Sequence, residues 1–368
     1  MMQDDAARAT PPAPPPELLG LVPAEARRLL GEWLAARGEP AYRVRQLLPR
    51  LWQRPVRDWT AATDVPAPLR AALNAAFPLL RLELAQEQVS QDGTRKFLWA
   101  LADGEAIESV LIPEGTRRTL CISSQAGCAL GCVFCATGRM GFRRQLSAAE
   151  IAGQLRELVL RDPAATPTNV VFMGMGEPLL NWPAVDVALT ILNAPEGCGI
   201  GARHITVSTV GIVPQLARLA ARPEQFRLAI SLHAPTSALR RTLMPVERKY
   251  GLSEVMAALR QFRRRVTIEY VLIGGMNDAL AQADELAALA RSLGALVNLL
   301  PLHPGGAPTL SPSPRSRMLD FERRLKRHGV QAVVRRSRGL DIAAACGQLR
   351  VEREMGREIR TEEHAHVE

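Results

Sequence analysis

No stretch of this chain is apolar for long enough to cross a bilayer, and none has the form of a secretory signal. Those absences predict a soluble, cytoplasmic protein with no membrane partner. Cysteine is sparse, with six residues in 368, too dilute for a secreted scaffold held by disulfides. Lysine is nearly missing: it occurs only at Lys96, Lys249 and Lys326, so almost all of the basic charge is arginine. No internal repeat is found, which excludes a solenoid or a propeller.

A chain of 368 residues can bury a full-sized core and one smaller accessory domain. Its 46 basic residues outnumber 37 acidic ones, and the formal charge of +9 mildly favours an anionic partner. The distribution says more. Between Arg315 and Arg338 there are nine Lys or Arg against two acids, Asp320 and Glu322. Arg143 and Arg144 form a second cluster, and Arg263, Arg264 and Arg265 end a predicted helix. Arginine grips phosphate through paired hydrogen bonds and stacks on bases, so an RNA surface is one reading. Solvated helix faces in an Ala-, Arg- and Pro-rich chain are the other. Charge alone leaves both open.

Short β-branched or apolar runs recur at 169–173, 205–208, 228–232, 267–273, 297–300 and 332–334, with amphipathic stretches between most of them. Ser147-Ala-Ala-Glu150 has the form of a capping box, which Ile151, Leu155, Leu158 and Val159 extend as a helical stripe. This alternation predicts an α/β fold, a parallel sheet with helical crossovers in the manner of a partial (β/α)6 barrel. In barrels the functional residues collect at the C-terminal strand ends. Here those ends read Met173-Gly-Met-Gly-Glu177, Ser208-Thr-Val-Gly211, Ser231-Leu-His233, Ile273-Gly-Gly275 and Pro301-Leu-His303.

Ahead of the barrel, helices are predicted over 24–36, 42–53 and 67–76, and Asp92-Gly93 marks a tight turn beside strand-like 96–101 and 106–112. The domain organisation expected is a disordered Ala- and Pro-rich leader over 1–20 and a helical accessory domain over 21–88. A β-hairpin linker over 89–116, the barrel over 117–350 and a charged tail over 351–368 complete it.

Three of the cysteines, Cys128, Cys132 and Cys135, lie in the run Cys-Ala-Leu-Gly-Cys-Val-Phe-Cys. Three thiolates on one short loop can hold a four-iron, four-sulfur (4Fe-4S) cubane and leave its fourth iron without a protein ligand. An open coordination position implies chemistry at the metal, a closed one structure. The alternative is a zinc site with Cys121 as fourth ligand. Zinc sites usually pair two close-spaced couples of ligands, and this triple is not built that way.

The C-x3-C-x2-C pattern resembles that of the radical S-adenosylmethionine (SAM) superfamily. There the open iron takes the amino and carboxylate groups of SAM, and one electron cleaves it to a 5′-deoxyadenosyl radical. Further segments narrow the resemblance. They are Gly38-Glu-Pro-Ala-Tyr-Arg-Val-Arg-Gln46, Asp92-Gly-Thr94, Glu108-Ser-Val-Leu-Ile-Pro113 and Thr119-Leu-Cys-Ile-Ser-Ser-Gln-Ala-Gly-Cys128. Gly141-Phe142, Met173-Gly-Met-Gly-Glu-Pro-Leu-Leu-Asn181, Ser231-Leu-His-Ala234 and Arg338-Gly-Leu-Asp-Ile-Ala-Ala-Ala-Cys-Gly-Gln348 continue the series. From about 38 to 349 the chain thus resembles the radical SAM methyltransferases that modify adenine in 23S rRNA and tRNA (the RlmN/Cfr family).

The resemblance implies an RNA (adenine-C2) methyltransferase carrying one 4Fe-4S cluster on Cys128, Cys132 and Cys135. Two SAM molecules per turnover and an electron donor such as flavodoxin or ferredoxin are implied with it. Carbon 2 of adenine lies between two ring nitrogens and is too electron-poor to displace methyl from SAM as a nucleophile. In the family's mechanism a first SAM methylates a cysteine, and the radical from a second abstracts hydrogen from that S-methyl group. The carbon radical adds to the base, and a second cysteine attacks the first one's sulfur, freeing the product and leaving a disulfide.

Cys346 matches the methyl carrier and Cys121 the resolving cysteine, while Cys198 matches no functional position. Glu108 matches a carboxylate used as proton acceptor. Gly176, Glu177, Ser208, Ser231, Leu232 and His233 match SAM contacts, and His303 stands where the family usually carries Asn. The substrates implied are 23S rRNA at the peptidyl-transferase centre and tRNA beside the anticodon. Methylation at adenine carbon 8, or of another RNA, uses the same cysteine pair and stays open. So does a zinc-containing RNA-binding protein, which brown colour and labile sulfide in protein purified without oxygen would exclude.

Overall fold

The computed structural model describes residues 17–303, 307 and 309–349. The expected tail over 351–368 and most of the expected leader lie outside the described residues. Leu18–Gly20, assigned to the leader, instead forms a 3-10 turn with Leu18 and Leu19 buried. Helices α1 (Pro23–Ala35), α2 (Arg43–Leu47) and α3 (Ala67–Ala76) build an N-terminal module. Their Leu30, Leu34, Leu47, Leu69 and Leu73 close around Trp59 and Phe77 in a core of their own. The helix predicted over 42–53 is shorter, because Pro49 has no N–H to continue the ladder and the chain tightens into a 3-10 turn at Leu48–Arg50.

Four antiparallel strands follow: β1 (Glu83–Val89), β2 (Arg95–Ala100), β3 (Ala106–Glu114) and β4 (Arg117–Cys121). β1 corrects the helical expectation for the span before 88. The strands are also no separate linker, since they continue the barrel sheet without a break. After β4 come a small ribbon, β5 (Gln125–Gly127) and β6 (Phe142–Gln145), and the short helix α4 (Ala136–Arg139). Then β7 (Asn169–Phe172), β8 (Ile205–Thr209), β9 (Arg227–Ser231), β10 (Val266–Leu272), β11 (Leu296–Pro301) and β12 (Ala332–Val334) lie parallel and in chain order beside β4. These are the six runs read from the sequence. Among the described residues the sheet has ten strands and does not close on itself.

The crossovers are α5 (Ala148–Arg161), α6 (Trp182–Asn193), α7 (Val213–Ala221), α8 (Ser237–Leu243) with α9 (Leu252–Arg260), α10 (Leu280–Leu293) and α11 (Arg315–Arg327). One sheet face is apolar. Leu120, Val170, Ile205, Val207, Leu228, Ile230, Ile268 and Val297 are buried in one core with Leu216, Leu219, Val255, Leu286, Phe321 and Leu325 of the helices. Each such side chain contributes about 1.5–3 kcal/mol on burial. α5 joins the two cores: Ser147 and Glu150 cap its start reciprocally, Ile151, Leu155 and Leu158 face the barrel core, and Ala149 and Ala152 face the N-terminal one. Its buried Arg156 donates to the Leu51 and Val56 carbonyls, and Arg81 grips Glu157 through two 2.7 Å bonds. No helix of the described residues is long and apolar enough to cross a membrane.

Candidate active site

The other face of the sheet is polar, and strand register decides what meets on it. Lys96 of β2, Val110 of β3, Cys121 of β4, Val171 of β7 and Thr206 of β8 stand side by side. Alternation along the strands adds Glu108 and Ser208 to that face. Farther along, Ser231 of β9, Glu269 of β10 and Asn298 of β11 are register partners. Asn298 donates to Glu269 at 2.8 Å, and the Ser208 and Ser231 hydroxyls lie 3.5 Å apart. Lys96 Nζ is 3.8 Å from the buried Glu108 carboxylate and donates to the Ala343 carbonyl at 3.4 Å.

β4 leads directly into the cysteine loop, where Cys128 and Cys132 are buried and Cys135 is half-buried. The Cys128 N–H donates to the Gly141 carbonyl at 2.9 Å, and the Val133 N–H to the Leu243 carbonyl of α8 at 3.1 Å. Gly127 has φ +73°, and a β-carbon there would stand 2.0 Å from the Gly141 oxygen, so this crossing requires glycine. Burial pushes all three thiols up, Cys128 to about 12, with Cys135 raising both of its neighbours further. A metal would take each of the three in its thiolate form and displace the proton, and all three lie on one short loop. The donor set therefore fits a 4Fe-4S cluster held through three of its irons. Among the described residues no three Cys, His, Asp or Glu side chains gather as the ligands of one metal ion.

Cys346 is held in place from two sides. Gly339 N–H donates to Asp92 Oδ2 at 3.0 Å, and Asp341 accepts from the Ser90 hydroxyl at 2.5 Å and the Gln91 N–H at 3.1 Å. From the other side, the Ala136 N–H of the cysteine loop donates to the Gly347 carbonyl at 2.7 Å. Cys346 is exposed to solvent, yet protein surrounds it closely enough that desolvation raises its thiol. Glu269, which raises that thiol further, and Arg335, which lowers it, are the charged side chains bearing on it. Cys121 is buried, and its thiol is raised by burial and then by Cys346.

The loop from Gly174 to Glu177 is fastened to the segment after β4. Met175 N–H donates to the Ser123 hydroxyl at 2.9 Å, Ser124 N–H to the Met175 carbonyl at 2.9 Å, and Glu177 N–H to Gln125 Oε1 at 2.8 Å. Gly176 has φ +96°, and a β-carbon there would lie 2.5 Å from Gln125 Cβ, so the protein's own packing already demands glycine. The buried Glu177 carboxylate accepts from Leu179 N–H at 3.0 Å and Val210 N–H at 2.9 Å. Burial lifts its pKa to about 7 against the Thr209, Val210 and Leu179 bonds that lower it. A ligand ammonium would favour the ionised form.

His233 turns inward with φ 57°, and its Nδ1 accepts from the Val271 N–H at 3.0 Å, which leaves the hydrogen on Nε2. Burial, then Arg240, hold the ring neutral with a pKa of about 3. It meets Phe134 of the cysteine loop edge-on, with centroids 4.7 Å apart, so its side chain positions that loop. Leu232 beside it is fully buried. The half-buried His303 lies with Nε2 2.5 Å from the Ser337 hydroxyl, and burial lowers its pKa. Cys198 packs at the edge of both hydrophobic cores. Sequence reasoning missed Lys96, Gln125, Arg240, Glu269 and Asn298. The available signal was a lone acid, Glu269, in the otherwise apolar-polar alternation of 266–272.

Residues 122–287 match the model of the Radical SAM superfamily. Over 96% of its length the chain is 59% identical to a probable dual-specificity RNA methyltransferase RlmN from Gemmatimonas aurantiaca, 98% of which is covered. It is 46% identical to the dual-specificity RNA methyltransferase RlmN of an Anaeromyxobacter species, over 93% of this chain and 92% of that one. The crystal structure of a radical SAM methyltransferase from Sphaerobacter thermophilus superposes with a TM-score of 0.86 at 46% identity, covering 92% of this chain and 100% of its own.

Proposed function

The chain belongs to the RlmN family of radical SAM RNA methyltransferases, and on that premise we propose that it methylates carbon 2 of adenine in 23S rRNA and in tRNA through Cys346 and Cys121. The observation that carries this reading is the pair of thiols: Cys346 is exposed and Cys121 buried, and Lys96, in register with Cys121 across β3, bonds the Ala343 carbonyl of the loop that carries Cys346. A methyl carrier must meet both SAM and RNA, while a resolving thiol needs to meet only the carrier.

When bound, the cluster and SAM supply a methyl group and a radical able to take hydrogen from an S-methyl group, two SAM per turnover. Cys128, Cys132 and Cys135 would hold the cluster, and Gly176, Glu177, Ser208 and Ser231 would line the SAM site. Leu232 and His233, both buried, and His303, which meets Ser337, would belong to the same site. The Cys346 sulfur accepts methyl and gives up its proton. After hydrogen abstraction the carrier carbon bonds to carbon 2, whose proton passes to Glu108, held beside Lys96. Cys121 then bonds to the Cys346 sulfur as the sulfur–carbon bond breaks. The released carbon takes a proton to become methyl, one electron leaves to an acceptor, and the cysteines end as a disulfide. Restarting the cycle requires reduction of that disulfide, and cluster reduction requires a flavodoxin- or ferredoxin-type donor. Such substrates place the work in the cytoplasm.

Mass spectrometry of rRNA and tRNA from a deletion strain, with and without the restored gene, tests the reading. Loss and recovery of 2-methyladenosine in both RNAs is expected. Recovery of 8-methyladenosine, or of neither base, overturns the carbon-2 assignment.

A further inference from the structure

α8 touches the cysteine loop through the bond from Val133 N–H to the Leu243 carbonyl. One turn earlier on the same helix lies Arg240, whose side chain is completely buried. Its Nη1 donates to Glu247 and to the Tyr250 carbonyl at 3.2 Å, and its Nη2 to the Val210 carbonyl at 2.7 Å. The Nε–H has no hydrogen-bond partner. An unmade bond from a buried charged donor costs about 1–3 kcal/mol or more, which the bonds to Glu247, Tyr250 and Val210 must offset. Val210 ties this cation to the strand-end loop as well, because its own N–H is held by Glu177. Burial, and then the Arg240 charge, oppose protonation of His233, the ring that braces Phe134 of the cysteine loop.

We propose that Arg240 is a positioning residue that raises the reduction potential of the cluster, with Glu247 as the counter-charge that limits the rise. A buried cation beside an iron–sulfur cluster lowers the energy of the added electron. Net local charge and hydrogen bonds to the sulfurs are principal controls on such potentials. The inference rests on Cys128, Cys132 and Cys135 being the cluster ligands. It concerns the one-electron reduction by a low-potential donor that precedes any chemistry on RNA.

The test is a spectroelectrochemical titration of anaerobically reconstituted full-length protein, after iron and sulfide per chain are measured. Arg240→Gln should shift the midpoint to more negative potential and Glu247→Gln to less negative potential, each at wild-type iron content. Arg240→Lys, which keeps the charge, should lie between Arg240→Gln and wild type. Unchanged midpoints, or shifts of the same sign for Arg240→Gln and Glu247→Gln, would overturn the proposal. Should Arg240→Gln fail to fold, the Glu247→Gln shift decides alone, since Gln can keep the hydrogen bond to Leu252 N–H that Glu247 makes at 3.0 Å. Absence of iron and sulfide from the wild-type protein would instead defeat the cluster assignment.

Discussion

Asp92 Oδ2 accepts the Gly339 N–H at 3.0 Å, which ties a β-turn to a loop 247 positions farther along the chain. The second oxygen of Asp92 accepts from Thr94 N–H at 2.9 Å and shapes the turn itself. Asp92-Gly-Thr94 is therefore more than a tight turn between β1 and β2. It anchors the loop that carries Cys346, whose other end rests on the cysteine loop through Gly347 and Ala136.

Asp92→Ala should loosen that loop and destabilise the protein by about 1–3 kcal/mol, as expected for lost hydrogen bonds to a charged acceptor. Burial would raise the Asp92 pKa, but bonds from Thr94, Gly339 and Ser90 outweigh it and hold the carboxyl at about 2. A depressed carboxyl contributes fully above the ordinary carboxylate range, and the contribution fades as pH falls toward about 2. Unfolding measurements should show the variant and the wild type converging across that window. Hydrogen exchange over 339–347 should rise in the variant at neutral pH. A stability gap independent of pH would remove the charge from the explanation.

β7 to β12 were legible because buried parallel strands are short, apolar and separated by helices with clear stripes. β1 was not, since Glu-Leu-Ala-Gln-Glu-Gln-Val is polar on both faces and sits at an edge, held only by its ladder with β2. The strand-end motifs also stood out. Arg240 did not: it reads as half of an Arg240-Arg241 surface pair, and only helix phase buries the first and exposes the second. The basic run at 315–338 carries ion pairs that its spacing alone does not reveal. Arg323 bonds Asp320, Lys326 bonds Glu322, and Arg324 shares Asp284 with His328.

Those ion pairs sharpen the expectation for RNA. Arg335 and Arg336 are exposed at the end of β12, and the Arg335 charge reaches Cys346. Replacing both by Gln should flatten the dependence of log affinity on log salt by about one unit per lost phosphate contact. Replacing Arg323 and Arg324 should leave the slope close to that of wild type. Equal slopes for all these proteins would return the whole run to a solvated surface.

Replacing any one of Cys128, Cys132 and Cys135 by Ala should abolish iron and sulfide binding after anaerobic reconstitution, and with them SAM cleavage. Three ligands are the fewest the loop provides. A stable, active four-iron cluster in any of the three variants would refute the ligand assignment. Cys198→Ala should bind wild-type iron, since that thiol packs in the hydrophobic cores rather than on the loop.

On the proposed mechanism, the two remaining cysteines separate by the order of their tasks. Cys346→Ala removes the methyl carrier, so no carbon radical forms on the protein and no link to RNA can arise. Cys121→Ala leaves methyl transfer and radical addition possible but removes the thiolate that breaks the thioether. That variant should accumulate a covalent protein–RNA adduct, seen as a nuclease-sensitive shift on a denaturing gel. The double variant should show none, because loading of the carrier precedes resolution. Burial raises the Cys121 thiol, so the resolving thiolate forms only when a base takes its proton. Glu108 lies on the same sheet face, on β3, which pairs with the Cys121 strand. Glu108→Gln should therefore slow release as well as carbon-2 deprotonation, and adduct should persist longer in it than in the wild type. Normal turnover by Cys121→Ala, or adduct formed without Cys346, would require a different methyl transfer in this chain.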